Sequence, residues 1–410
     1  MLAAHLRQAI HVLPRRLFFR SRSGLSSHTG KNFSAVSTTE NEKKNNKLEV
    51  EAKESDSLLS GVMLSAVTAA VGFQGASILT SALTVPVSGI PLSILLGMTI
   101  KNTVGYSNSF RPGVICSTKT ILQGGIVAVA AKLSFVELLT TGSQGLPVVI
   151  ASVGSGLVFI PMVARFAGLP KEMGLLLTAG TSICGVTAIT ALAPAIKASN
   201  RDVAVAVANT VAFGTIGMLT YPYLFNVLCS GSEQVGMCLG VAIHDTSQVL
   251  GSAMAYKETF SDEIALKVAA ITKLTRNLGL AIAIPGLTFF HVIEKKKEKA
   301  GSNKDVDETI SGLQTFQKYI PTFLIAFVGM SSLRSGGDIL LGQDAEAFHQ
   351  TMNFIGNDLS KYALGTAMAG LGLSTSTSSL KGVGWRPFAV GLAGAIVVGG
   401  TGFTVVSTLI

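Results

Sequence analysis

GLLLTAGTSICGVTAITALAPAIKA, residues 174–198, carries one charge in its whole length, Lys197 near the end. At about 1.5 Å of rise per residue such a helix outreaches the roughly 30 Å of hydrocarbon in a bilayer. Gly180, Thr181, Ser182 and Gly185 interrupt the stretch near its middle, and Pro194 stands near its end. Glycines at that depth permit the helix to break. A broken helix exposes backbone N–H groups at the start of its second half, where the amides and the partial positive charge favour an anion. Small residues also permit close helix packing, so this stretch alone leaves both readings open.

Comparable stretches recur from Ser57 onward, and eleven membrane segments are expected. They lie near 58–80, 84–100, 118–134, 146–164, 173–196, 203–225, 236–256, 263–292, 315–333, 347–373 and 384–407. The eighth is longer than a perpendicular crossing and must tilt or extend past the interface. A barrel would show alternating segments of about ten residues; these runs are longer and apolar on nearly all sides, so the fold class is all-α. Only 13% of the 410 residues are charged while 48% are hydrophobic, against about a quarter charged in soluble domains. The net charge of +9 would point to nucleic acid in a soluble protein. Here the basic residues sit between apolar segments, where membrane orientation explains them, so a lipid bilayer and no nucleic acid is expected as partner.

Residues 1–40 include Arg7, Arg15, Arg16, Arg20 and Arg22, many serines and no acid before Glu40. With Leu2, Leu6, Ile10, Leu13 and Leu17 at near-helical spacing, this composition fits a mitochondrial transit peptide, and a multi-pass protein of the mitochondrial inner membrane is expected. Residues 41–57 are a polar linker, residues 58–410 form the transporter-like domain, and a charged insert at 294–308 follows the eighth segment. With eleven crossings, Lys101, Arg111, Lys119, Arg165, Lys171, the lysines of the insert, Lys381 and Arg386 share one side with the linker, expected to face matrix or cytosol. Lys132, Lys197, Arg201, Lys257 and Arg334 fall on the other.

The tenth segment reads MAGLGLSTSTSSLKG, with Gly370 and Gly372 before Ser374, Thr375, Ser376, Thr377, Ser378 and Ser379. If the first segment is set aside, two sets of five remain, near 84–225 and 236–407, with the fifth and tenth segments each fourth in its set. Sets with an odd number of helices have opposite orientations, which is the inverted-repeat arrangement with binding at discontinuous helices. In the seventh segment, VAIHDTSQVLGSA, His244 and Asp245 lie about ten residues inside apolar sequence, and Asp245, Gln248 and Ser252 are expected on one face. His244 can exchange a proton near neutral pH. The eighth segment carries Lys273, Arg276 and Asn277 on one face. Arg276 is expected to pair with Asp245 or to offer its planar fork to an oxyanion. Lys267 is expected to snorkel, and Lys361 is a weaker cationic candidate. Two or three buried cations against one acid favour an anionic substrate.

Cys116, Cys184, Cys229 and Cys238 have neither close pairing nor metal spacing, so no disulfide framework, metal or cofactor is expected. Neither HExxH nor a G-x-S-x-G elbow is present. An intramembrane enzyme resting on His244, Asp245 and Cys184, or a structural membrane subunit, are the alternatives to a transporter.

The motifs LLGMTIKN from Leu95, PGVICSTKTILQGGIV from Pro112, GTSICG from Gly180, DVAVAVANTVAFGTIGM from Asp202, AIHDTSQV from Ala242, KLTRN from Lys273 and GLSTSTSSLKGVGWRP near the end resemble the bacterial sulfate exporter family. Those conserved membrane proteins are grouped with cation/proton antiporters and bile acid type symporters. The resemblance spans nearly all of residues 58–405. It implies a multi-pass transporter with two crossed, interrupted helices and loosely implies sulfate or sulfonate export. The Arg-rich N-terminus and the lysine-rich insert depart from the bacterial pattern and point to an organellar version. Together these readings put a small anion at Gly180, Thr181, Ser182, Gly185, Lys273, Arg276, Asn277, Ser374, Thr375 and Ser376. A coupling proton or ion falls to His244, Asp245 and Gln248, and a homodimer is compatible.

Overall fold

Apolar runs in lipid must satisfy their backbone internally, which leaves helices as the economical solution. The computed structural model describes residues 36–83, 87–298, 322–341, 345–377 and 383–409, with side chains from 57 and, in the second stretch, as far as 293. No strand occurs among them. The expected transit peptide therefore falls mostly outside the described residues, as do Ser378, Ser379 and most of the charged insert. The chain divides into Met1–Lys53 and Glu54–Ile410, and all the apolar segments belong to the second unit.

The helices in chain order are α1 (Val36–Leu83), α2 (Gly89–Thr103), α3 (Asn108–Lys132), α4 (Phe135–Phe166), α5 (Lys171–Ala195) and α6 (Asn200–Leu228). Next come α7 in two pieces, α7a (Ser232–Ala242) and α7b (Thr246–Phe260), then α8 (Glu263–Ile293) and α9 (Thr322–Leu341). The last two are α10 (346–374) and α11 (Trp385–Leu409). Their starts are written locally. Ser88, Ser134, Ser199 and Asp262 each cap a helix by accepting a bond from a backbone N–H two or three residues on.

Among the described residues, eight of these helices, against eleven expected segments, have by themselves the length and composition to cross a membrane: α1 over Ser57–Ala82, α3, α4, α5, α6, α8, α9 and α11. The other three expected segments are helical but differ in kind. α2 has 15 residues, which at 1.5 Å each reach only about 22 Å. α7 is broken. α10 is interrupted by Asn353, Asn357, Asp358 and Lys361.

Large apolar side chains such as Val158, Ile282 and Ile396 are exposed, whereas the two largest fully buried side chains are Arg276 and Lys273. Apolar side chains facing outward together with cations held inside fit lipid around the helices and buried polar groups between them. The helices pack in two groups. α2 lies along α10, and α10 and α9 lie on α3; α1 joins them through close approaches at Gly61–Gly113 and Gly72–Ser93. In the other group α4 packs on α11, α7a on α8 and α11, and α5 on α6. The groups meet where α7b touches α2 and α10, and where α9 touches α4.

Candidate functional site

Two helices are discontinuous, and their breaks meet. In α5 a π-helical turn, Gly180–Cys184, ends at Gly185, whose φ of 34° and ψ of −126° suit glycine. In α7 the helix stops at Ala242, passes through extended Ile243 and Asp245, and restarts at Thr246. The partner of the broken fifth segment is therefore the seventh and not the tenth. α10 contains a π-helical turn at Ile355–Leu359 but remains helical through Ser374.

A break strands carbonyls at the end of each first half. Lys273 and Arg276, both on α8 and fully buried, supply the missing donors. Lys273 Nζ donates to Ile183 O at 3.2 Å, to Ile243 O at 3.0 Å and to His244 O. Arg276 donates from Nε to Ser182 O at 2.9 Å, from NH2 to Thr181 O at 2.6 Å, and from NH1 to Val241 O and, at 3.5 Å, Ile243 O. The positive charges thus stand at two helix C-termini, where the macrodipole favours them.

This corrects two expectations. Arg276 does not pair with Asp245, and its fork is committed to backbone carbonyls rather than open to an oxyanion.

Asp245 takes the complementary position. It caps α7b by accepting from Ser247 N at 2.9 Å and from Ser247 Oγ. Its Oδ2 lies 3.0 Å from where a Cβ would stand on Gly185, at the start of the second half of α5, which has no side-chain cap of its own. The helix start assigned above to a substrate anion is already faced by the chain's own carboxylate. Asp245 therefore sits in the break and not on a stripe with Gln248 and Ser252. Those two are buried, and Gln248 turns to α6, donating to Val211 O and Thr215 Oγ1, both at 3.1 Å.

Around the breaks, Thr246 Oγ1 accepts from Asn277 Nδ2 at 3.1 Å and lies 3.3 Å from Cys184 Sγ. His244 is buried. Ser182 Oγ, His244 Nδ1, Gln248 Oε1, Ser252 Oγ, Thr272 Oγ1 and Asn277 Oδ1 are buried with no partner among the described residues. Each such group costs about 1–3 kcal/mol while it lacks a partner.

Gly180, Thr181, Ser182, Gly185, His244, Asp245, Lys273, Arg276 and Asn277 are thus brought together. Ser374, Thr375 and Ser376 are not. Ser374 is exposed and the other two half-buried, and this end of α10 lies against α2, where Thr375 O accepts from Asn102 Nδ2 at 3.1 Å and Thr377 N donates to Asn102 Oδ1 at 2.8 Å. Of the weaker candidates, Lys361 pairs with Glu258 at 3.0 Å and Lys267 with Glu137 at 3.4 Å. Sequence reasoning missed the carbonyl sets, Thr246 and Cys184 as links between α5 and α8, and Glu258.

The profile of a family described as conserved hypothetical protein 698 matches residues 60–391. The chain belongs to that family. Among its relatives, a UPF0324 membrane protein of Streptococcus pyogenes is 30% identical over 307 residues, 75% of this chain and 86% of the relative. UPF0324 membrane proteins of Oceanobacillus iheyensis and Ralstonia nicotianae are each 29% identical, covering 76% and 82% of this chain and 85% and 86% of the relatives. Membership of the conserved hypothetical protein 698 family thus makes this a multi-pass membrane protein. These relatives are bacterial, and their names give neither the mitochondrial inner membrane nor sulfate export any support.

Proposed function

We propose that this chain is a secondary active transporter of a small anion, of sulfate or sulfonate type, driven by a proton or another ion. The observation that carries the reading is the meeting of two helix breaks, α5 at Gly180–Gly185 and α7 at Ile243–Asp245, inside a buried polar cluster. Irregular backbone at membrane depth is tolerated where it lines a binding centre. Two buried cations against one half-buried carboxylate leave that centre positive. An oxyanion beside Ser182 meets an unpartnered hydroxyl, with Thr181 and Asn277 adjoining, while Lys273 and Arg276 hold the frame and set the field. The coupling proton is assigned to His244, with Nδ1 unpartnered, and to its neighbours Asp245 and Gln248 in the sequence. Location in the inner mitochondrial membrane rests on the Arg-rich residues 1–40 alone.

The test is transport by purified protein in liposomes. Labelled sulfate or taurine should move in response to a pH gradient, and His244→Gln should uncouple the movement from pH while the protein stays folded. Arg276→Ala should abolish movement and lower thermal stability together, since it strands at least three carbonyls. Absence of oxyanion movement under every imposed gradient overturns the proposal.

A further inference from the structure

The sparse-side cations Lys132, Lys257 and Arg334, far apart in sequence, converge on one place. The end of α3, the α7–α8 turn, α9 and the π-helical turn of α10 border an open cavity of about 330 Å³ lined by Lys132, Glu263, Lys267, Arg334 and the exposed Asn353 and Asn357. Three cations and two carboxamides thus face one carboxylate. The Lys132 side chain is 5% exposed. Its stem lies against Gly356, where a Cβ would stand 2.5 Å from Lys132 Cγ. The π-helical turn sets Asn357 Oδ1 to accept from both Lys132 and, at 3.2 Å, Lys257, and such turns recur at functional sites.

The ion pairs leave a surplus. Glu263 serves two ammonium groups, Lys132 at 2.8 Å and Lys257 at 3.4 Å. Glu137 answers Lys267 only at 3.4 Å. Asp338 takes Nε of Arg334 at 2.9 Å, and no bond to the two terminal amino groups of Arg334 occurs among the described residues. His349 Nδ1 lies 3.6 Å from Asp338 and adds no acid. A closed salt-bridge network would pair each cation and fill the space between them. This one seats two ammonium groups on one carboxylate beside a cavity the size of a small ion with its water.

We propose that this cavity is a binding site for a small oxyanion, held by Lys132, Lys267 and Arg334 with the Asn353 and Asn357 amides as further donors. Arg334 offers the planar fork that Arg276 does not. Glu263 competes with the ligand for Lys132. Binding here shares only the ligand's charge with the transport reading and does not require transport.

The experiment uses the full chain in detergent, with thermal unfolding and titration calorimetry in sodium sulfate and sodium phosphate against sodium chloride at equal ionic strength. Saturable stabilisation by sulfate or phosphate is expected. Arg334→Gln and Lys267→Gln should each weaken it about tenfold, one charge-assisted bond being worth about 1.4 kcal/mol or more. Lys101→Gln, outside the cavity, should leave it unchanged. Glu263→Gln should tighten binding several-fold, whereas a purely structural ion-pair network would only be destabilised by that change. Absence of saturable binding, binding that survives both cation variants, or looser binding in Glu263→Gln overturns the site. Binding that behaves as expected in a protein that transports nothing keeps the site and removes the transport reading.

Discussion

The carboxylate of Asp245 lies against the backbone of Gly185, its Oδ2 3.0 Å from the point a Cβ would occupy. The contact joins the restart of α5 to the restart of α7 and puts one negative charge at two helix N-termini. It also makes Gly185 doubly constrained, because its φ of 34° lies in the region that side chains avoid.

Gly185→Ala should therefore cost about 1–2 kcal/mol for the backbone alone, with a further loss as Asp245 is displaced. A clear drop in the unfolding temperature in detergent is expected. Gly286→Ala, where nothing stands within 4 Å, serves as the control and should change little. Equal unfolding temperatures for the two variants would show that the break tolerates a side chain.

Glu258 on α7b is one of the polar clasps between the two helix groups. It accepts from Ser88 Oγ at 2.7 Å and Gly89 N at 3.2 Å, and it pairs with Lys361 at 3.0 Å. Glu258→Ala removes the acceptor that holds the first turn of α2, at a cost of about 1–3 kcal/mol. Amide hydrogen exchange over residues 88–93 should quicken while exchange over 263–276 stays as it was. Unaltered exchange at the start of α2 would mean that packing alone holds it.

Cys229, between α6 and α7, has its Sγ 3.9 Å from Cys238 Sγ. The hydrogen bond between the two thiols pulls the Cys229 thiol below its ordinary value, against the opposing effect of burial. A lowered value means that thiolate forms at lower pH. Alkylation of Cys229 by iodoacetamide should thus rise at lower pH than for an ordinary cysteine, and Cys238→Ala should move that rise upward. A rate profile indifferent to Cys238 would show that the two thiols do not communicate.

The all-α membrane fold was legible because apolar length is a local property, and so were the three clusters at Gly180, His244 and Lys273, because charge inside apolar sequence is conspicuous. What Lys273 and Arg276 do was not legible. Their partners are backbone carbonyls 29 to 95 positions away, and carbonyls have no letter in a sequence. The break in α7 has no glycine or proline at Ile243–Asp245. It exists because Lys273 supplies donors that the helix gives up, so Asp245 and Gln248 read as a stripe on an unbroken helix. The hydroxyl run of α10 misled for a related reason. Composition says that Thr375 is polar, but its Oγ1 is satisfied by Leu371 O at 2.8 Å, one turn back. Lys132 and Arg334 were read as markers of membrane sidedness, and only the fold shows that they share a wall.

Because α8 grips the loose ends of α5 and α7 with two adjacent side chains, a push on any of these three rods is felt by the other two at once. They form one mechanical part, which meets α2 and α10 along α7b.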